Sequence, residues 1–311
     1  MTHMNTQGFK HIFTGLVCST AILGCQTVTS TPNTQKTNDL VVATWNIEHL
    51  AAHNNQGCKG RENSDYAALT AYKNKVDADI YALQEVGSVA AVQRVFNPSQ
   101  WQVFISDRAD SPSYTCRGSE QSSTQQKVAY AVKKTITVNN ITHLDALSAP
   151  QFGLRNALQL DIEHAGKSLS LINLHLKSGC FVDDYLNSDR KSCGVLAQQA
   201  EILKNMLKQQ QKSQPNLVLL GDFNHRLANP NNRLRADLGL TNTVKQSAWL
   251  NTTDSVQGCH PKYPAPIDHI IVSSSLVQHL DKPESQFHYF EDMTPNNMLS
   301  DHCALTLRFN F

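Results

Sequence analysis

Short runs of Val, Ile and Leu recur along residues 40–311, and they constrain the fold more than any other feature of the sequence. Nine such runs lack a clear alternation of apolar and polar side chains, as expected for strands that are covered on both faces of a sheet. The runs are 40–44, 80–83, 103–105, 128–132, 157–162, 169–174, 217–220, 270–272 and 304–309. We therefore predict a domain built on sheets whose strands are mostly buried.

Helices are predicted between these runs. The clearest lies at 195–211, where apolar residues recur at helical spacing and polar residues occupy the other positions. Its apolar positions are Leu196, Ala200, Leu203 and Leu207. Weaker candidates lie at 65–74 and 88–96. Strands that alternate with helices predict a layered α/β or α+β arrangement. Since no linker is evident within 40–311, we predict one folded domain over this range.

The amino-terminal segment differs from the rest of the chain. Residues 12–23 are mostly apolar but too few to form a stable transmembrane anchor, and they match the hydrophobic region of a secretory signal. The tetrapeptide at 22–25, ILGC, resembles a bacterial lipobox. We predict a lipoprotein-type signal peptide over 1–24 and lipidation of Cys25. A conventionally cleaved signal and a buried core segment are the alternatives.

A polar tether is predicted over residues 25–39, which are rich in Gln, Thr, Ser, Asn and Pro. The amino-terminal features together predict an exported protein that is held on a membrane by its lipid. The expected location is the outer membrane, with the domain facing the periplasm or the cell surface. Without the lipid, the protein is expected to be periplasmic or secreted.

Cysteine usage also favours export. Outside the amino-terminal segment the cysteines are Cys58, Cys116, Cys180, Cys193, Cys259 and Cys303. An even number in an exported chain predicts disulfides, and many pairings are open. The favoured pair is Cys180 with Cys193, which would close a short polar loop, followed by Cys58 with Cys116. A zinc site is the competing interpretation, but the sequence has no CxxC or Cys/His cluster.

The charge balance limits the kind of partner. Formal net charge is +1, from 27 Lys and Arg against 26 Asp and Glu. This excludes a strongly basic surface that would bind nucleic acid by charge alone. A nucleic-acid substrate would need cations gathered near the site. The candidates are Lys59, Arg61, Arg117, Arg155, Lys177, Arg190, Lys191 and Arg226.

Polar residues cluster where the predicted strands begin or end. The segments are WNIE at 45–48, LQE at 83–85, HLKS at 175–178, GDFNH at 221–225, IDH at 267–269 and SDH at 300–302. If the strands end at one rim of a sheet, these side chains share a pocket. Carboxylate and amide oxygens suit Mg²⁺, Mn²⁺ or Ca²⁺. A His beside a carboxylate suits proton transfer near neutral pH.

In this order, the six segments resemble the motif set of the endonuclease/exonuclease/phosphatase superfamily, over residues 41–311. The resemblance implies a deoxyribonuclease-I-like fold, an α/β (α+β) four-layer sandwich of two packed mixed β-sheets flanked by helices, with 40–311 as the catalytic domain. It also implies hydrolysis of phosphodiesters with one or two divalent ions, Mg²⁺ or else Mn²⁺ or Ca²⁺.

The resemblance further implies roles for single residues. The metal-ligand positions are Asn46, Glu48, Glu85 and Asp301, with Glu85 the principal carboxylate. The catalytic positions are His175, Asp222, Asn224, Asp268 and His302. Here Asp222 activates the water, Asp268 orients His302, and His175 donates to the phosphate or protonates the leaving oxygen. Substrate contacts are expected from Asn224, Arg155 and Lys177. For Arg155 a structural ion pair, and for Lys177 a solvated position, are the alternatives. His225 and His269 are expected to point away from the site.

The expected substrate is DNA or RNA, cleaved with little sequence preference by a monomeric endonuclease. A phosphatase or a sphingomyelinase-like phospholipid hydrolase is the alternative on the same fold. The phospholipid reading requires an exposed apolar hairpin near the site, and the sequence contains no aromatic-rich insertion. A catalytically inactive surface binding module is the second alternative. It is disfavoured because every motif position retains a suitable chemical group.

Overall fold

Two six-stranded sheets pack face to face in the computed structural model, which describes residues 38–213, 215–240 and 248–311. The predicted signal peptide, Cys25 and most of the predicted tether lie outside the described residues and stay predictions. Among the described helices, none combines the length and the apolar composition that a membrane span needs.

The described elements follow the alternation that the sequence predicts. The strands are β1 (Asp39–Leu50), β2 (Ile80–Val86), β3 (Trp101–Ile105), β4 (Lys127–Lys133), β5 (Thr137–Leu144), β6 (Ala157–His164), β7 (Lys167–His175), β8 (Leu217–Asp222), β9 (Trp249–Asn251), β10 (Asp268–Ser273), β11 (Gln286–His288) and β12 (Ala304–Asn310). The helices are α1 (Asn63–Val76), α2 (Val89–Gln93), α3 (Lys191–Ser213) and α4 (Arg233–Asp237). Single 3₁₀ turns lie at Asp145–Ser148, Tyr185–Asn187 and Ser274–His279.

Each sheet is mixed and has one parallel pair near its centre. The first sheet has the order β11-β12-β1-β2-β4-β3, and the second has the order β5-β6-β7-β8-β10-β9. Strands β1 and β2 are parallel, as are β7 and β8, whereas the other neighbours are antiparallel. Two packed mixed sheets with flanking helices confirm the predicted fold class.

Apolar side chains from both sheets fill the space between them. Leu83 of β2, Leu160 of β6 and Val218 of β8 belong to one buried cluster. A second cluster lies on the other face of the second sheet, where Leu203 of α3 packs with Leu219 of β8. The second sheet is therefore covered on both faces, which is why its strands read as nearly continuous apolar runs.

A polar link crosses the core between the sheets. Nε2 of Gln84 donates to Oδ1 of Asn173 at 2.7 Å, and Nδ2 of Asn173 donates to two backbone carbonyls of the first sheet at 3.0 and 2.8 Å. Both side chains are fully buried, so each hydrogen bond offsets the loss of water. Gln84 directly precedes Glu85 in β2, and Asn173 is two residues before His175 in β7. The link therefore fixes the two strands that carry these side chains.

Three disulfides stabilise the loops. Cys58 bonds Cys116, Cys180 bonds Cys193, and Cys259 bonds Cys303. The two pairs favoured from the sequence are confirmed. All six cysteines of the predicted disulfide set are used in this way, which leaves no thiolate among them for a metal.

Gly221 allows β7 and β8 to approach closely at their carboxyl ends. Its φ is +146°, and a Cβ added there would lie 2.0 Å from the carbonyl oxygen of Leu174 in β7. Any side chain at this position would push the strands apart. This close approach explains why the first residue of GDFNH is a glycine. It also allows the next residue, Asp222, to pair in register with His175.

We predict that Gly221→Ala lowers the free energy of unfolding by about 3 kcal/mol or more, because the methyl group overlaps a backbone carbonyl that cannot move independently. Gly194→Ala is the matched control. Gly194 lies in the exposed first turn of α3 with open space around its Cβ position, so this variant should stay within about 1 kcal/mol of the parent. Urea unfolding followed by circular dichroism measures both, and equal stabilities would contradict the close-approach argument.

Candidate active site at the rim of the two sheets

The parallel strands of both sheets end at one rim, where their polar residues meet. His175 and Asp222 are the last residues of β7 and β8 and lie opposite each other in the register. Nε2 of His175 is 3.4 Å from Oδ2 of Asp222 and 3.9 Å from Oε1 of Glu85 in β2. Nδ2 of Asn46 in β1 donates to Oδ2 of Asp222 at 3.1 Å. Side chains from both sheets therefore form one cluster.

Two antiparallel strands begin at the same rim and complete the cluster. Asp268, the first residue of β10, pairs with Asp222 in the register. His302 lies two residues before β12, and its Nδ1 is 2.7 Å from Oδ2 of Asp268. Nε2 of His302 is 3.9 Å from Oδ2 of Asp222 and 3.8 Å from Oδ1 of Asp301. All six segments singled out in the sequence meet here.

Left-handed backbone directs several of these side chains. Glu48, His49, Glu85 and Asn224 have φ values of 48°, 50°, 59° and 52°. The pairing of β1 with β2 shifts register after Asn46, and that of β2 with β4 shifts next to Glu85. Such shifts re-aim side chains at the edge of a sheet. Each left-handed residue other than glycine costs about 1–3 kcal/mol, and this kind of strain gathers at functional sites.

Asp222 is the most heavily bonded carboxylate of the cluster. Its Oδ1 accepts a hydrogen bond from the backbone N–H of Asn224 at 2.8 Å, and its Oδ2 accepts from the side-chain amides of Asn224 and Asn46, both at 3.1 Å. Burial raises the pKa of Asp222 to about 7, although the charge of His302 acts in the opposite direction. The carboxylate is therefore held in a fixed orientation and is suited to accept a proton near neutral pH.

The two histidines differ in charge. Burial alone would lower the pKa of His302, but the carboxylates of Asp268, Asp301 and Asp222 raise it well above its usual value. Burial lowers the pKa of His175 well below its usual value, and the nearby Arg155 adds to this effect. Near neutral pH the cluster thus contains one imidazolium and one neutral imidazole.

A second group of carboxylates borders the cluster. Oε2 of Glu85 accepts from the backbone N–H of His49 at 3.2 Å. In the described part of the chain, Oε1 of Glu85 accepts no hydrogen bond, and it lies 3.9 Å from Nε2 of His175. Oε2 of Glu48 accepts from the backbone N–H of Asp301 at 3.0 Å. Loss of hydration around the crowded carboxylates raises the pKa values of Glu48 and Asp301; the charge of Asp301 adds to the shift at Glu48, whereas His302 opposes the shift at Asp301.

This donor set fits a hard divalent cation. Asn46, Glu48, Glu85 and Asp301 supply amide and carboxylate oxygens from neighbouring segments, and crowded carboxylates favour a cation between them. One atom from each of Asp222, Asp268 and His302 also lies within 4.8 Å of the other two. However, His302 and Asp268 bond each other, and both oxygens of Asp222 already accept hydrogen bonds. The open oxygen of Glu85 is the better anchor.

Arg155 adjoins the cluster. Its Nη2 donates to the carbonyl of Leu176 at 2.8 Å, and the same carbonyl accepts from Nδ2 of Asn224 at 3.2 Å. Nε of Arg155 has no partner among the described residues. Lys177 lies beside Arg155 in the wall of one cleft, and Nζ of Lys177 donates to the carbonyl of Ser178. These contacts hold Arg155 next to the carboxylates of Glu85 and Asp222, with Lys177 beside it.

The buried guanidinium of Arg61 donates hydrogen bonds to backbone carbonyls. Arg61 is 2% exposed, and it donates to the carbonyls of Glu48 at 2.7 Å, Ile47 at 2.9 Å and Leu299 at 2.8 Å. Contact of this residue with a phosphate, one of the possibilities raised by the sequence, is therefore wrong. The side chain joins the end of β1 to the segment that carries His302.

His225 and His269 are both buried beside the rim. His269 bonds Thr253 through Nδ1, and its Nε2 is 2.9 Å from the carbonyl of His225. Nδ1 of His225 is 2.6 Å from Nδ2 of Asn232. The side chain of His225 forms part of a cleft wall, although only 3% of it is exposed. The bonds of both histidines are therefore made to the surrounding loops.

Exposed aromatic side chains around the rim were not predicted from the sequence. Phe181 and Tyr263 line a cleft of about 740 Å³ whose floor includes Asn224 and His302. Tyr114 and Phe152 line a second cleft of about 470 Å³ beside Arg155 and Lys177. The four aromatic residues are far apart in the chain and bring no aromatic-rich segment with them. Only their closeness to cysteines and prolines in the sequence could have indicated them.

Comparison with known proteins agrees with this geometry. Residues 43–302 match the Endonuclease/Exonuclease/phosphatase family, and the chain belongs to this family. No curated protein sequence matches the chain.

Several solved structures share the fold. D. rerio TDP2 complexed with a single-strand DNA product has a TM-score of 0.58 at 15% identity, covering 88% of this chain and 99% of that chain. The catalytic domain of human Nocturnin with a bound sulfate anion has a TM-score of 0.59 at 17% identity, covering 88% of this chain and 95% of that chain. The 3′-5′ exonuclease NExo from Neisseria meningitidis has a TM-score of 0.57 at 17% identity, covering 88% of this chain and 100% of that chain. At these identities the likeness concerns the fold.

We predict that Arg61→Met destabilises the protein by about 3 kcal/mol, because it leaves three carbonyls without their charged donor. The control is Arg308→Met, which removes a half-exposed arginine whose partner Asp39 is 3.6 Å away and should change stability by about 1 kcal/mol or less. Urea denaturation measures both variants. A loss for Arg61→Met no larger than that of the control would show that this residue does not brace the rim.

Proposed function

We propose that the protein is a divalent-metal-dependent phosphodiesterase, and more specifically an endonuclease that cleaves DNA or RNA with little sequence preference. The observation that carries this proposal is the convergence of Glu85, Asp222 and His302 from three strand ends onto one cluster. Membership of the family supports phosphoester hydrolysis. The donor set around Glu85 supports Mg²⁺, or Mn²⁺ or Ca²⁺, as the cofactor.

The proposed mechanism assigns the metal to one side of the cluster. Glu85 and Asn46 would hold the ion, with Glu48 and Asp301 beside them. When bound, a divalent ion neutralises charge on the phosphate. A phosphodiester repels an attacking oxygen, so this neutralisation and the nearby Arg155 both favour the reaction.

The chain's own residues would activate the water and contact the phosphate. Asp222 accepts a proton from the attacking water as the new P–O bond forms. The bond to the leaving oxygen breaks on the opposite side of phosphorus, and that oxygen takes a proton from solvent. His302, held by Asp268 and 3.9 Å from Asp222, keeps its proton and donates a hydrogen bond to a phosphate oxygen. Asn224 and the neutral His175 donate hydrogen bonds to the phosphate oxygens as negative charge increases there. Asp222 then returns its proton to solvent, which restores the site for the next turnover.

Local charge supports a nucleic-acid substrate despite the net charge of +1. Arg155 and Lys177 border one cleft at the rim, and Arg226 and Lys262 border the other. A strand that crosses the site would meet cations on both sides. A TDP2 neighbour whose structure contains a DNA product adds support from a protein of the same fold.

The amino-terminal proposal concerns location. We propose that residues 1–24 are a lipoprotein signal, that Cys25 carries the lipid, and that a tether over 25–39 places a monomeric catalytic domain, 40–311, at the outer membrane. Three disulfides fit an oxidising compartment.

Lipidation makes a direct prediction. When the full chain is expressed in a bacterium with the lipoprotein pathway, Cys25→Ser should abolish incorporation of radiolabelled palmitate and release the protein from the membrane fraction. Cys18→Ser, within the same apolar segment, is the matched control and should incorporate label like the parent. Labelling of the Cys25→Ser protein would refute the proposed anchor.

For the catalytic proposal, Asp222→Asn should lower kcat on supercoiled plasmid and on bis(p-nitrophenyl) phosphate by about 1,000-fold or more, since the amide cannot accept the proton of the water. Glu163→Gln, which changes an exposed carboxylate at the end of β6 opposite the rim, should leave kcat unchanged. Thermal unfolding checks that both variants fold.

The same assay tests the metal and the substrate class. Plasmid, RNA, sphingomyelin vesicles and inositol phosphates are each incubated with Mg²⁺ or with chelator. Hydrolysis of plasmid or RNA that requires Mg²⁺ and Asp222 is the expected result. Activity that survives both chelator and Asp222→Asn would refute the mechanism. Cleavage of vesicles alone or of inositol phosphates alone would refute the nuclease assignment.

A further inference from the structure

The larger cleft at the rim has two aromatic side chains that nothing in the catalytic cluster requires. Phe181 is 65% exposed and Tyr263 is 68% exposed, and both line the cleft of about 740 Å³ that opens beside His302 and Asn224. This volume lies within the usual range for ligand sites. Large aromatic groups left in water at such a place indicate a surface that is covered when a ligand binds.

Disulfides hold both aromatic loops close to the catalytic residues. Phe181 follows Cys180, which is bonded to Cys193 in α3. Tyr263 belongs to the loop that starts at Cys259, and that cysteine is bonded to Cys303, the residue after His302.

Local contacts further limit the movement of the Tyr263 loop. The ring centroids of Tyr263 and His260 are 5.0 Å apart, and the backbone N–H of Gly258 donates to the carbonyl of Pro264 at 2.7 Å. Loops fixed in this way lose little conformational entropy when they bind a ligand. The disulfides and these contacts therefore restrain the two aromatic loops beside the catalytic cluster.

The chemistry of the cleft selects its occupant. Arg226 and Lys262 line it together with the two aromatic rings. A groove that combines cations with exposed rings is typical of proteins that bind single-stranded nucleic acid, since phosphates contact the cations and bases stack on the rings. In a duplex the bases are already stacked on each other, and their faces are not accessible. A lipid surface would favour an uncharged apolar patch, whereas this cleft is also lined by Asp183, Arg226 and Lys262.

We propose that Phe181 and Tyr263 stack on an unpaired nucleobase next to the scissile phosphate, and that the enzyme therefore acts on single-stranded nucleic acid or on unpaired segments. This inference rests on the proposed nuclease function. It adds substrate-binding residues outside the catalytic cluster and a preference between paired and unpaired strands.

The test compares the wild-type protein with the double variant Phe181→Ala/Tyr263→Ala on three substrates with Mg²⁺. These are a short single-stranded oligonucleotide, its blunt duplex, and bis(p-nitrophenyl) phosphate. The wild type should prefer the single strand. The double variant should lose about 10- to 100-fold in kcat/KM on the single strand, mainly through KM, as expected from removal of base stacking. Its kcat on the small phosphodiester, which reports on the catalytic cluster itself, should match that of the wild type.

Two further variants separate stacking from folding and from general apolar contact. Leu186→Ala removes an exposed apolar side chain from the same disulfide-closed loop but outside the cleft, and it should behave as the wild type. Phe181→Trp should retain the low KM. The three natural tryptophans are Trp45, Trp101 and Trp249, all buried. Fluorescence from the new exposed indole should therefore be quenched when the oligonucleotide binds in the Asp222→Asn background.

The outcomes distinguish this inference from the proposed function. A wild-type protein that hydrolyses the small phosphodiester but no nucleic acid refutes the nuclease function and the inference with it. Cleavage of the oligonucleotide with the same KM by wild type and double variant refutes the inference alone. A preference of the wild type for the duplex also refutes it.

Discussion

The close approach of β7 and β8 at Leu174 and Gly221 is the constraint on which the rest of the site depends. A Cβ at position 221 would lie 2.0 Å from the carbonyl oxygen of Leu174, so the backbone can take this path only with glycine. Because the strands meet there, the next residues in each, His175 and Asp222, stand side by side in the parallel register. Asp268 then joins through the antiparallel pairing of β10 with β8. Hydrogen-bonded strands thus fix three of the proposed catalytic side chains before any side-chain contact is considered.

Burial of so many charged groups requires compensation, and the structure supplies it through donors and neighbours of opposite charge. Asp222 is 1% exposed, yet it accepts three hydrogen bonds from Asn46 and Asn224. His302 keeps its proton because carboxylates surround it. Left-handed backbone at Glu85 and Asn224 adds strain that the packed sheets must hold. These features favour chemistry at the rim but lower the stability of the fold. The buried core between the sheets compensates for this loss.

Much of this arrangement could be predicted from the sequence, and the exceptions have physical reasons. The nine apolar runs all became strands, since burial on both faces leaves a strong local signal. Strands β5, β9 and β11 were missed because β5 is a largely polar edge strand and the other two have three residues each. The six motif segments could be assigned to one site because polar residues at the ends of buried strands lie at the rim of the sheet. The buried role of Arg61 depends on three carbonyls from two distant segments, and the aromatic cleft depends on loops that only the fold brings together. Neither leaves a local pattern.

The cluster spans the seam between the sheets, and this has a consequence for how the protein responds to change. Glu85 comes from one sheet and His175 and Asp222 come from the other, while Gln84 and Asn173 join the two layers immediately behind them. A slight sliding of one layer over the other would leave most apolar contacts intact but would alter every spacing at the seam. The turnover rate should therefore be more sensitive to the alignment of the two sheets than the melting temperature is. Substitutions deep in the interior can lower catalytic activity while the fold persists.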